Sequence, residues 1–177
     1  MSSLLLITTA IFYRKQIIYK QRFQALVNKN QEVVTKKENI EIVISTSKNK
    51  IELPNEIINE VLNSLEKFEN KSEFLNPNVK LNLVAKRIGT NSSYLSKIIN
   101  YHKQKNFANY INDLRIDYCV KQLRKDSKLR KYAIKNIAEE VGFTNVQSFS
   151  RAFYKKTGIQ PSYFLKEIEK QLFKEEN

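Results

Sequence analysis

The chain has 177 residues, 41% hydrophobic and 28% charged, with 31 Lys and Arg against 18 Asp and Glu, a net charge of +13. That apolar content is enough for one packed domain with a tail, and the positive excess points to a polyanionic partner, nucleic acid or an anionic membrane surface. A single cysteine, a single histidine and three scattered glycines exclude a disulfide framework, Cys-rich and His-pair metal sites, and the glycine loops that cradle phosphates. No metal, no cofactor and no enzymatic constellation is expected.

Leu4 to Tyr13 is a short apolar run, followed at once by Arg14, Lys15, Lys20 and Arg22. Ten helical residues span about 15 Å, roughly half the hydrocarbon thickness of a bilayer. No basic residues precede the run and no small-x-small site closes it, so it is a poor signal peptide. A basic flank of this kind marks the cytoplasmic side of a transmembrane helix. Residues 1–27 are therefore read as an apolar and basic helix, the cytoplasmic end of a transmembrane helix that tethers the protein to the inner face of the membrane through residues 4–13. The alternative is an amphipathic helix of a soluble protein.

Gln16 to Gln31 has Ile17, Ile18, Phe23, Leu26 and Val27 at roughly helical spacing. Residues 28–53 are polar and read as a linker, with a short strand at Ile40–Ile44. Pro54-Asn55-Glu56 opens a connecting helix in 54–76, with Ile57, Ile58, Val61, Leu62, Leu65 and Phe68 on one stripe. Asn76-Pro77-Asn78 then breaks the chain. Residues 1–79 carry a net charge of +2 and residues 80–177 a net of +11, so the polyanion signal lies in the second part.

That part contains an internal repeat. Residues 84–111 (VAKRIGTNSSYLSKIINYHKQKNFANYI) align with 137–164 (IAEEVGFTNVQSFSRAFYKKTGIQPSYF). Ala85 matches Ala138, Gly89 matches Gly142, Asn91 matches Asn145, and Lys97 matches Arg151. In each copy a short helix carries a small residue where a second helix crosses. It ends at a glycine able to take positive φ, and the asparagine caps the next helix. Leu95, Ile98 and Ile99 face inward in one copy; Phe149, Ala152 and Phe153 do so in the other. This is a helix-turn-helix, whose second helix enters the DNA major groove. A helix from about Asn106 to Lys125 joins the copies, with Phe107, Tyr110, Ile111, Leu114, Tyr118 and Leu123 as its apolar stripe. At about 1.5 Å per residue it reaches roughly 28 Å, suited to two reading heads near one DNA turn apart. The expected fold is all-α: two helix-turn-helix subdomains in 77–173, joined by a long linking helix and preceded by N-terminal helices.

The stretches LVAKRIGTNSSYLSKII, FANYINDLRIDYCVKQL and IKNIAEEVGFTNVQSFSRAFYKKTGIQPSYF resemble the C-terminal DNA-binding domain of the AraC/XylS family of bacterial transcription regulators. The resemblance covers roughly 78–170 and implies two helix-turn-helix motifs in one monomeric unit. The whole sequence is similar to membrane-attached members, which carry tetratricopeptide-like repeats and a transmembrane helix ahead of this domain. This chain has no room for such repeats, which reads as a truncated or incomplete product, and no sensory role is carried over. Departures from the family pattern are Gln104 in a slot usually held by Gly, Ser92 where Pro is common, and Cys119 where Ala is usual.

Helical periodicity puts Ser92, Ser93, Ser96, Lys97 and Asn100 on the outward face of the first recognition helix. Val146, Gln147, Ser150, Arg151 and Tyr154 occupy that face on the second. These positions match the family's base- and backbone-reading residues. Arg151 suits guanine O6 and N7, Gln147 adenine, and Val146 a thymine methyl. Lys103, Lys105, Lys155 and Lys156 follow the recognition helices and suit phosphate. Arg115 is read as structural, pairing with an acid or a carbonyl. His102 is read as a surface residue.

The leading expectation is a sequence-specific transcription regulator that binds double-stranded DNA, with RNA polymerase as a candidate partner. The alternatives are a non-specific architectural DNA binder and a membrane-proximal interaction protein. An alkyl-transfer enzyme using Cys119 is the weakest, because a reactive thiol needs an accessible electropositive setting and Cys119 sits in a packing slot.

Overall fold

A computed structural model describes residues 2–32 and 54–175 of the chain. The expected strand at Ile40–Ile44 lies outside the described residues. The described residues are helical, and no strand occurs among them. They run α1 (Ser2–Glu32), α2 (Asn55–Asn70), a 3₁₀ turn (Glu73–Leu75), α3 (Leu81–Arg87), α4 (Ser92–Lys103) and α5 (Phe107–Lys125). There follow α6 (Ser127–Arg130), α7 (Ile134–Glu140), α8 (Val146–Thr157) and α9 (Pro161–Glu175). They group into two compact units: residues 54–152, and residues 2–32 with 153–175. The first seven residues of α8 belong to the former and the last five to the latter.

In the unit of residues 54–152, α2 turns Val61, Leu65 and Phe68 inward, as its stripe predicts, while Ile57 stays exposed. These side chains and Phe74 share one core with Val84, Ala85, Leu95, Ile98, Ile99, Tyr110 and Ile111. The connecting helix is thus part of the same packed body as the first helix-turn-helix. The sequence pattern did not show the 3₁₀ turn that follows it, because three residues are too few for periodicity to register. The linking helix α5 also buries more than its apolar stripe suggested. Ile116, Cys119, Val120 and Arg115 are buried along with Tyr110, Ile111 and Leu123, while Phe107, Leu114 and Tyr118 are only partly covered. A helix packed on more than one side has no single stripe, so a one-face reading finds only part of its core. The short α6 was likewise not anticipated. Asp126 caps it, accepting from the Lys128 and Leu129 backbone N–H groups at 2.8 and 3.2 Å, and Leu129 is buried.

In the other unit, α1 and α9 pack against each other and against the end of α8. Phe23 is 1% exposed, and its ring lies 5.4 Å from that of Phe164, which in turn lies 5.7 Å from Phe153. Tyr19 meets Tyr163 edge-on at 5.4 Å. Arg22 Nη1 donates to the Gly158 carbonyl at 2.7 Å. Residues 2–27, read as an apolar and basic helix, are helical throughout. The segment is one continuous helix that extends to Glu32, into the stretch read as linker, and its Phe23 and Val27 belong to a protein core. Among the described residues no helix is long and apolar enough to cross a membrane. The basic residues after Tyr13 explain this physically: they interrupt the apolar run at about half a bilayer.

Candidate nucleic-acid interface

The repeat in the sequence is a repeat in the backbone. α3 and α7 have seven residues each, and α4 and α8 have twelve. Both short helices close at a left-handed glycine, Gly89 at φ 77° and Gly142 at φ 87°. The same pair of bonds seals each end. The Thr90 and Phe143 N–H groups reach back to the Ala85 and Ala138 carbonyls, both at 2.9 Å. Only glycine takes this backbone at little cost, which is why both copies carry it there. Each recognition helix then starts at an asparagine. Asn91 Oδ1 accepts from the Tyr94 N–H at 2.9 Å, and Asn145 Oδ1 accepts from the Ser148 N–H at 2.8 Å.

The far ends differ in chemistry but not in conformation. Gly158 follows α8 at φ 75°, and Gln104 follows α4 at φ 53°. The turn after the first recognition helix therefore keeps the left-handed shape despite the missing glycine. Gln104 holds it with its own amide, which donates to the Tyr101 carbonyl at 2.6 Å.

These caps fix the phase of each recognition helix. On α4, Leu95, Ile98 and Ile99 are fully buried, which leaves Ser93, Lys97 and Asn100 exposed and Ser92 and Ser96 half-buried at the edge. On α8, Phe149 is fully buried within the unit of residues 54–152, and Phe153 within the other. Gln147, Arg151 and Tyr154 are exposed, and Val146 and Ser150 half-buried. All ten predicted readers thus avoid the core. A half-buried serine or valine at the helix edge has shorter reach than Lys97, Gln147 or Arg151. Those three are the longer exposed polar or charged side chains on the face.

The flanking lysines are partly committed. Lys103 Nζ lies 3.0 Å from Glu69 Oε1 and 5.7 Å from the centre of the Tyr110 ring. Tyr110 also donates to Glu69 at 2.7 Å, and burial followed by that carboxylate pushes its pKa far up, so the phenol keeps its proton. Lys105 pairs with Asp113 on α5. Both lysines are exposed, so these ion pairs are weak. Lys155 is exposed and Lys156 half-buried on the last turn of α8. His102 is exposed and stacks edge-on against Tyr101 at 5.0 Å. Partial burial, then the neighbouring Lys103, lowers its pKa, which keeps the ring neutral.

Arg115 takes carbonyls rather than an acid: its Nε donates to Phe74 O and its Nη2 to Asn76 O, both at 2.8 Å. Cys119 is fully buried, and burial pushes its thiol up to about 12. That is the opposite of the depressed pKa a nucleophilic cysteine needs. Among the described residues no cluster of His, Cys, Asp and Glu could hold a metal ion.

Comparison with known proteins places this geometry. Residues 84–167 match a family described as a helix-turn-helix domain. A 95-residue stretch, 52% of the chain, is 36% identical to a protein of Bacillus subtilis strain 168 described as the uncharacterized transcriptional regulatory protein YesN. The aligned part spans about a quarter (25%) of that relative's length. Among solved structures, the C-terminal domain of AraT, a response regulator from Geobacillus stearothermophilus, superposes with a TM-score of 0.52. It is 23% identical, with 61% of this chain and 84% of that one covered. A Chromobacterium violaceum transcriptional regulator, of the AraC-type DNA-binding domain-containing proteins, also gives 0.52, at 15% identity over 65% of this chain and 96% of that one. At these identities the structures establish the fold.

Proposed function

We propose that residues 84–167 form an AraC-type helix-turn-helix domain and that the protein is a sequence-specific transcription regulator. It reads two successive major-groove segments of double-stranded DNA, one with α4 and one with α8. Its relatives are regulators and DNA-binding domains rather than enzymes. The observation that carries the reading is the duplicated, identically capped recognition helix, with Lys97 and Arg151 exposed at equivalent positions.

Each residue has a role under this reading. Arg151 pairs with guanine, Gln147 with adenine, and Val146 touches a thymine methyl. Lys97 and Asn100 meet base edges or phosphate on the other half-site, and Ser92, Ser93 and Ser96 set the depth of α4. Tyr154, Lys103, Lys105, Lys155 and Lys156 contact the backbone and make binding steeply salt-dependent. The protein works where the DNA is, in the cytoplasm, with RNA polymerase as its downstream partner.

The test is selection of binding sites from random duplex DNA with the full chain, alongside Arg151→Ala. The expected result is a motif of two half-sites about one turn apart, and loss of definition at one position in the variant, worth about 1–3 kcal/mol of discrimination. Binding without a recoverable motif would replace this reading with the architectural one.

A further inference from the structure

The 3₁₀ turn Glu73–Leu75 lies outside the matched domain, yet it meets the core under α4, the linking helix α5 and the turn before α8. Phe74 is buried in the core that also holds Leu95, Ile98 and Ile99 of α4. Its carbonyl and that of Asn76 accept the two hydrogen bonds from Arg115 on α5. The Arg115 guanidinium carbon lies 5.4 Å from the centre of the Phe143 ring, in the turn that leads into α8. Beside it, Gly142 sits so close to the Leu75 carbonyl that a methyl group there would collide with it, and the same methyl would stand 3.0 Å from Arg115 Nε.

We propose that Arg115 is a positioning residue that sets the register between the two recognition helices, by bridging the 3₁₀ turn to the turn that launches α8. The proposal rests on the function given above. The physical argument is one of geometry and burial. Arg115 is 7% exposed, and its bond to the Phe74 carbonyl is buried while that to Asn76 is partly buried, so water competes little for them. A guanidinium presents a planar fork that can hold two carbonyls and still offer its face to a ring. Lysine has no such fork, and a neutral side chain leaves the carbonyls of Phe74 and Asn76 without their donor. α4 shares its core with Tyr110 and Ile111, so the first motif is fixed to α5. The bridge ties the turn that launches α8 to the same packed body.

Reading two half-sites at one fixed spacing demands this stiffness. One base pair more or less moves a half-site by about 3.4 Å along the axis and by roughly 34–36° around it. A protein that discriminates such steps must hold its reading heads to better than that.

The experiment measures binding of the full chain to the selected two-half-site duplex, to the same duplex with the α8 half-site scrambled, and to a series with the spacer changed by one or two base pairs. Wild type is expected to prefer one spacing sharply. Arg115→Met is expected to bind the scrambled duplex within about twofold of wild type, to lose about tenfold at the preferred spacing, and to respond weakly to spacer length. Arg115→Lys should behave likewise, and Phe143→Leu should flatten the spacing response to a lesser degree. If Arg115→Met does not fold, those two variants decide the matter. Distances between spin labels at Ser93→Cys and Gln147→Cys, in a Cys119→Ser background, should broaden when Arg115 is replaced by lysine. An equal loss on both duplexes, or a spacing preference that stays sharp, would overturn the proposal. A wild type with no preferred sequence would instead overturn the function on which it rests.

Discussion

Replacing Phe23 with alanine tests whether α1 is part of the folded protein. The ring is 1% exposed and packs 5.4 Å from Phe164 at an interplanar angle of 59°. A buried phenylalanine covers about 150–250 Å², which at about 25 cal/mol per Å² is roughly 4–6 kcal/mol for the whole side chain. Alanine keeps part of that and leaves a cavity, so Phe23→Ala should cost about 3–5 kcal/mol. Phe12, on the same helix, is 65% exposed, and Phe12→Ala should stay within about 0.5 kcal/mol. The assay is amide hydrogen exchange of the full chain, read over α9. Opening there should become about 10²- to 10⁴-fold more frequent in Phe23→Ala and remain unchanged in Phe12→Ala. Equal exchange in the two variants would refute the placement of α1 in the core.

Lys103→Gln should weaken DNA binding severalfold and make its salt dependence shallower by about one phosphate contact, a slope change of about 0.9. An unchanged slope in a salt titration would show that Lys103 does not face the backbone. Gln104→Gly should relieve left-handed strain of about 1–2 kcal/mol but lose the amide bond to Tyr101. The net is a gain of about 0.5–1 kcal/mol, seen as a rise in Tm of about 1–4 °C. A fall in Tm would show that the side-chain bond outweighs the strain. Cys119 should react slowly with thiol reagents at pH 8 in the folded protein and quickly in urea. Its thiol is raised from the ordinary value near 9 to about 12, so the folded state favours the protonated form. The stability this gives is full below pH 9 and is lost as pH rises toward 12. Alkaline melting of Cys119→Ala that tracked wild type over this range would contradict that.

The sequence by itself determined the local geometry of the two capped helices. Gly89, Gly142, Asn91 and Asn145 act through their own backbone or a neighbour three residues away, and such local interactions repeat wherever the residues repeat. The outward faces of α4 and α8 followed from helical period once the caps fixed the phase. The resemblance to a known family rested on those same local features. What only tertiary structure decided involves partners far apart in the chain. Phe23 reads like the apolar residues before it, and it is buried because Phe164 and Phe153, more than a hundred residues away, leave a place for it. Arg115 read as structural, pairing with an acid or a carbonyl, but the sequence did not say which. Its role depends on two backbone carbonyls about forty residues upstream, and carbonyls carry no mark in a sequence. Lys103 and Lys105 read as phosphate contacts from charge alone, while Glu69 and Asp113 meet them only through folding. Local backbone preference is written residue by residue, but packing between distant segments depends on which surfaces meet, and that is settled only when the whole core forms.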